Sequence, residues 1–152
     1  MTPPRRNRDY SEMVIVAKEP SPIDKSKNYY VIDKQEFIFS NYKTASTYGE
    51  QRIKVPADLV KVLSEYVETY KLVFPDKKGE MPLLLHFDGS PVHAVNGITR
   101  ILNKVIGKKI GSSALRHIYL SDKFGDTLKE MKVVASEMSH DLNTQKEYIK
   151  TD

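Results

Sequence analysis

The sequence predicts an α+β fold, a small antiparallel β-sheet followed by a mostly helical core. Three observations carry this expectation. Residues 14 to 55 contain short runs rich in β-branched and aromatic residues, VIVA, NYYVID, EFIFSNY and RIKVP, broken by turn-forming clusters; this is the composition of half-buried strands. From Ala57 onward the apolar residues recur at steps of three and four, the period of a helix packed along one face. At 152 residues the chain is long enough for one sizeable core, so residues 1–152 are expected to form a single domain.

Composition excludes several classes of function. With 39% hydrophobic and 29% charged residues, the chain reads as folded and globular rather than disordered. No apolar run approaches the ~20 residues that cross a bilayer, and the arginine-rich start lacks the apolar stretch of a signal peptide. There are no cysteines, which rules out disulfide frameworks and thiolate metal sites and suits a reducing interior. A formal net charge of +4 is compatible with a polyanionic partner without requiring one.

Taken in order, the chain opens with MTPPRRNRDYSEM. Pro3-Pro4 favours an extended entry, and Arg5, Arg6 and Arg8 read either as a solvated basic tail or as phosphate contacts. VIVA (14 to 17) is followed by the turn-like EPSPIDKSK. NYYVID and EFIFSNY are separated by Asp33-Lys34-Gln35, a link that suits a hairpin. Gly49 supplies the next turn, and RIKVP is a further strand ended by Pro56.

A helix then runs from Ala57 to Val73, with Leu59, Val62, Leu63, Tyr66, Val67 and Tyr70 as its apolar stripe. Pro56 lies at its start, where a missing N–H is harmless. After the loop Phe74–Gly79 comes PLLLHF, a short strand or extended segment in which His86 is expected to pack rather than to bind a ligand. Asp88-Gly89-Ser90-Pro91 turns the chain. A helix from about His93 to Ile106 ends at Gly107, a C-cap. Lys104, Lys108 and Lys109 around that cap either contact phosphates or complement the helix C-terminus.

Ser112 or Ser113 caps the next helix, with Arg116 near its first turn, where backbone N–H groups and a permanent cation together favour an anion. A separate helix is expected from about Thr127 to Met138, packing through Leu128, Met131, Ala135 and Met138. His140 lies just past its end, and Tyr148 sits in a final helix or turn beginning near Thr144.

Five stretches stand out for chemistry: Pro3-Pro4-Arg5-Arg6-Asn7 with Asp9-Tyr10; Asn41-Tyr42-Lys43-Thr44 with Tyr48-Gly49-Glu50-Gln51; Leu115-Arg116-His117; Ser139-His140; and Tyr148. In this order they resemble the catalytic domain of the tyrosine recombinases, the integrases of viruses and mobile elements that cut and rejoin DNA. The resemblance covers nearly the whole chain, from Pro3 to Tyr148. Each motif is short, and the specificity lies in their order.

That resemblance implies a DNA strand breaking-rejoining enzyme for site-specific recombination or integration, with double-stranded DNA as partner. Tyr148 would attack a backbone phosphate to give a 3′-phosphotyrosyl link and a free 5′-hydroxyl. Arg6 and Arg116 would stabilise the charge on the non-bridging oxygens. Lys43 would protonate the leaving oxygen as general acid, and His140 would bond the phosphate or help deprotonate Tyr148. No cofactor and no metal is implied. Counted from the prolines, Arg6 takes the first catalytic place, with Arg5 one residue away as the alternative. Arg5, Arg8, Lys104, Lys108 and Lys109 are candidate DNA contacts.

The chain departs from the family pattern at Ser113, which stands where an H-x-x-R motif has its histidine. The interval from His140 to Tyr148 is also one residue shorter than in many members. The chain begins almost at Arg6 and ends soon after Tyr148, so a catalytic core lacking its N-terminal DNA-clamping domain is expected. A full-length protein would form a homo-tetramer on DNA and the fragment alone a monomer, with no membrane association. The location would be intracellular, in host cytoplasm or nucleus for a viral protein. The competing readings are a type IB topoisomerase-like DNA-relaxing enzyme, a catalytically inactive DNA-binding remnant, and an unrelated α+β domain.

Overall fold

The computed structural model describes residues 3–149. The chain divides into two compact units, Met1–Ser112 and Ser113–Asp152, and each has its own architecture.

The first unit is mixed α and β. Its elements are α1 (Asn7–Ser11), β1 (Met13–Val16), β2 (Asn28–Val31), β3 (Glu36–Phe39), α2 (Ala45–Tyr48), β4 (Gln51–Lys54), α3 (Ala57–Val73), β5 (Met81–Pro82) and α4 (Val95–Ile106). The strands form one sheet in the order β4-β3-β2-β1-β5. The hairpins β2–β3 and β3–β4 are antiparallel, as the sequence predicts.

Two features correct the expectation of a purely antiparallel sheet completed before the helices. β1 and β2 run parallel, with Met13 opposite Asn28 and Val16 opposite Val31. Residues 17–27 are too long for a tight hairpin turn and instead carry the chain back to the starting end of the sheet. β5 arrives only after α3 and pairs antiparallel with the opposite edge of β1. The sheet is therefore mostly antiparallel, with one parallel pair at its centre.

Alternation along the strands separates two apolar faces. Met13, Ile15, Tyr30, Phe37 and Phe39 pack with Tyr42, Val55 and the α3 residues Leu63 and Val67. Val14, Tyr29, Val31 and Ile38 form the other face, covered by Val16 and Ile23. Only the line through Leu63, Val67 and Tyr70 is buried on α3. Leu59 and Val62, expected in its stripe, are exposed because a single sheet face covers one line of a helix. His86 is also exposed rather than packed. It belongs to a surface turn closed by the Gly89 N–H on the His86 carbonyl at 2.9 Å and the His86 N–H on the Ser90 carbonyl at 2.8 Å.

α4 ends as predicted at Gly107, whose φ of 71° is the left-handed cap conformation that glycine adopts without strain. Asn7 of α1, itself buried, donates from Nδ2 to Thr99 Oγ1 of α4 at 3.0 Å.

The second unit contains α5 (Ser112–Glu137) and α6 (Leu142–Tyr148). The two helices expected on either side of residue 125 are one continuous helix of 26 residues. A glycine inside a helix costs only about 1 kcal/mol, so Gly125 alone does not interrupt the backbone ladder. No described helix is long and apolar enough to cross a membrane.

Candidate active site

In the first unit the arginine segment folds around Arg5. Its Nε donates to Asp9 Oδ2 at 3.1 Å and its Nη1 to Gln51 Oε1 at 2.6 Å. The guanidinium carbon lies 4.0 Å from the centre of the Phe39 ring and 4.8 Å from that of Tyr42. The Arg5 side chain is 14% exposed and that of Asp9 4%. Arg5 is therefore an internal clamp rather than the DNA contact expected of it. A planar, weakly hydrated guanidinium can stack on aromatic faces while its edge bonds one carboxylate oxygen and an amide, which suits this position. The neighbouring Arg6, at the N-cap of α1, is exposed, as is Arg8. Of the two candidates for the first catalytic arginine, Arg6 has the accessible side chain.

Tyr10 meets Phe37 and Phe39 edge-on at 6.3 and 5.8 Å. Burial, the largest influence on its phenol, pushes its pKa above the usual tyrosine range.

Lys43 lies in the connection between β3 and β4 and is exposed. The residues before and after it are fixed. Tyr42 is buried, its hydroxyl donates to the Gly49 carbonyl at 2.7 Å, and its own carbonyl accepts from Ala45 N–H at 3.0 Å. Because Arg5 stacks on Tyr42, the chain segments carrying Arg6 and Lys43 lie side by side. Lys104, Lys108 and Lys109 are exposed about the α4 C-terminus.

In the second unit Arg116 sits in the first turns of α5. Its Nη2 donates to Ser113 Oγ at 3.0 Å. The serine that stands where the motif has a histidine is thus one turn from the arginine and orients it.

The other end of α5 closes in a paired-bond cap. The Ser139 N–H bonds to the Ser136 carbonyl at 3.1 Å and the His140 N–H to the Ala135 carbonyl at 3.0 Å. Ser139 itself takes a φ of 53°. This is the Schellman arrangement, which usually has glycine in that left-handed position. Asp141 then caps α6 by accepting from the Asn143 and Thr144 N–H groups at 2.7 and 2.9 Å. Those bonds, with that from Thr144 the larger influence, hold its carboxyl below the ordinary range.

Together the two caps bring the rings of His140 and Tyr148 into a stack, with centroids 5.9 Å apart and planes inclined by 23°. The Tyr148 side is open, with the residue 72% exposed. The Nε2 atom of His140 is buried without a hydrogen-bond partner among the described residues. Sequence order thus finds a pair that the fold does assemble. Arg116 is not with them: a rise of 1.5 Å per residue puts about 31 Å of α5 between Arg116 and Glu137.

Motif reading passed over Asn28, a buried amide beneath the Arg6 and Lys43 segments. Its signal in the sequence is a poor strand former opening the run NYYV. Comparison of the chain with protein-family profiles, curated proteins and solved structures finds no match in any of the three.

Proposed function

We propose that the protein breaks and rejoins DNA strands through a phosphotyrosine, as a tyrosine recombinase or integrase core does. The observation that carries this reading is the His140–Tyr148 pair: an exposed phenol stacked on an imidazole whose Nε2 has no hydrogen-bond partner among the described residues. The mixed α+β architecture and the adjoining Arg6 and Lys43 segments support it.

In the reaction the Tyr148 oxygen bonds to phosphorus as the bond to the 5′-oxygen breaks. The phenolic proton leaves by way of His140, and Lys43 gives a proton to the departing oxygen. Arg6 and Arg116 offset the charge that builds on the non-bridging oxygens. The phosphodiester energy stays in the new bond, so rejoining is the same step in reverse.

For Arg116 and Tyr148 to serve one phosphate within one chain, α5 must fold back on itself. The segment Phe124–Thr127 is suited to that. Gly125 tolerates a break, and Thr127-x-x-Glu130 is a capping box that would start a new helix. Both halves leave large apolar side chains exposed, Ile118, Leu120 and Phe124 on one and Leu128, Val134 and Met138 on the other. Packing the halves together would cover part of that surface.

The reading is tested by mixing supercoiled plasmid with wild type and with Tyr148→Phe, in chelator, and quenching with detergent. A protein–DNA adduct that vanishes in the phenylalanine variant is expected. Relaxation without a defined site would place the activity with type IB topoisomerases. No adduct from wild type would leave at most a DNA-binding protein.

A further inference from the structure

We infer that Asn28 is a positioning residue that couples the Arg6 segment to the Lys43 turn. Asn28 opens β2 and is 3% exposed. Its Nδ2 donates to the Asp9 carbonyl and to the Asn41 carbonyl, both at 2.9 Å. Its Oδ1 accepts from the Ser40 N–H at 2.9 Å and from the Asn41 N–H at 2.8 Å. Two donors and two acceptor sites are all that a carboxamide has, so every one is used. None goes to the neighbouring strands' ladders. Asp9 belongs to the helix that Arg6 caps, and Ser40 and Asn41 lead into Lys43.

A valine or threonine would serve a buried strand position better. What the amide contributes is a fixed spacing between two backbone segments far apart in sequence. The Asn41 side chain extends the bracket, donating to the Ser26 carbonyl at 2.7 Å. Arg5 makes a parallel link through Asp9, Gln51 and the Tyr42 ring. Arg5 acts from the aromatic side and Asn28 from beneath the backbone, so Arg6 and Lys43, both exposed, project from segments tied together twice.

The purpose of this coupling rests on the DNA-cleavage reading: it would place the general acid relative to the phosphate-binding arginine. The coupling itself does not rest on that reading. Asn28→Asp keeps the shape and the two accepted bonds but turns a carboxylate oxygen toward two carbonyl oxygens.

Two measurements decide the matter. In amide hydrogen exchange, the Asp9 N–H, bonded to the Arg6 carbonyl, and the Ala45 N–H, bonded to the Tyr42 carbonyl, should both exchange about tenfold faster in the variant. Loosening of one segment alone, or of neither, would overturn the coupling, with or without catalytic activity. In the second measurement, covalent adducts are followed on a pool of random-sequence duplexes with either an ordinary scissile phosphate or a 5′-bridging phosphorothiolate, whose thiolate leaves without an acid. Asn28→Asp should lose at least about tenfold more on the first than on the second, because a displaced Arg6 segment weakens both reactions while a displaced Lys43 matters only where the leaving group needs an acid. Equal losses on both would overturn a positioning role and leave a structural one. No adduct from wild type on either pool would sink the cleavage reading, and the exchange result would then judge the coupling alone. Should Asn28→Asp not fold, Asn28→Ser, which retains one donor and one acceptor, is read in the same two ways.

Discussion

The sharpest test of how α5 works is Gly125→Ala. A Cβ built at Gly125 meets nothing within 4 Å, so the methyl group adds helix propensity without a clash. Alanine favours the continuous helix over glycine by about 1 kcal/mol, which lowers the ratio of folded-back to straight α5 roughly fivefold. The absence of cysteine allows spin labels to be attached uniquely at His117 and Ser136, both exposed. In the straight helix these positions are about 28 Å apart along the axis. In a folded-back pair the two halves would pack at roughly 8–10 Å between axes, so the labels would approach to about half the straight-helix distance. With DNA bound, wild type should show the short distance, and the variant should lose it about fivefold together with adduct formation. An adduct rate untouched by the substitution, with labels still near 28 Å on DNA, would refute the reasoning and require Tyr148 to reach a phosphate held by another chain.

Other substitutions separate the part-buried Arg5 from the exposed Arg6 and test the caps. Arg5→Ala should destabilise the fold by about 3 kcal/mol or more in urea titration, since it strands the buried Asp9 carboxylate. Arg6→Ala should leave stability within about 0.5 kcal/mol while abolishing adducts, and equal effects of the two would undo their assignment. Ser139→Gly should stabilise by about 0.5 kcal/mol, the left-handed penalty of an L-residue exceeding the entropy cost of glycine; a loss of stability would show the cap to be held by other means. Glu19, bonded by Arg52 and Lys34, has its carboxyl pKa lowered from the usual 4.5 to about 2. Its contribution is therefore complete above pH 4.5 and lost as pH falls toward 2. In that window Tm should drop more steeply for wild type than for Glu19→Gln, and parallel curves would remove the network from the account.

Strand existence was legible because it is local: NYYV and EFIF carry their own β-forming side chains and alternation. Strand direction was not. The parallel pairing of β1 with β2 depends on where residues 17–27 lead the chain, and their composition announces only a loop. The same distinction separates Arg5 from Arg6. Adjacent arginines in a motif look interchangeable until Phe39, Tyr42 and Gln51, all distant in sequence, claim one of them. His140 and Tyr148 were legible as a pair because short caps, Ser139 and Asp141, fix their spacing through nearby backbone groups.

The α5 boundary shows most clearly why local signals are not decisive. Gly125 and the Thr127–Glu130 capping box mark an interruption, yet the helix runs through them. A glycine penalty and a cap contribute only about 1 kcal/mol each, too little by themselves to offset the several intrahelical bonds lost at a break. Burial then has the deciding weight. Fully covering a single leucine, isoleucine or phenylalanine is worth about 1.5–3 kcal/mol, and α5 leaves Ile118, Leu120, Phe124 and Leu128 exposed. A partner that aligns the two halves need therefore contribute little itself. A DNA phosphate held by Arg116 would be such a partner if its attacking tyrosine comes from the same chain.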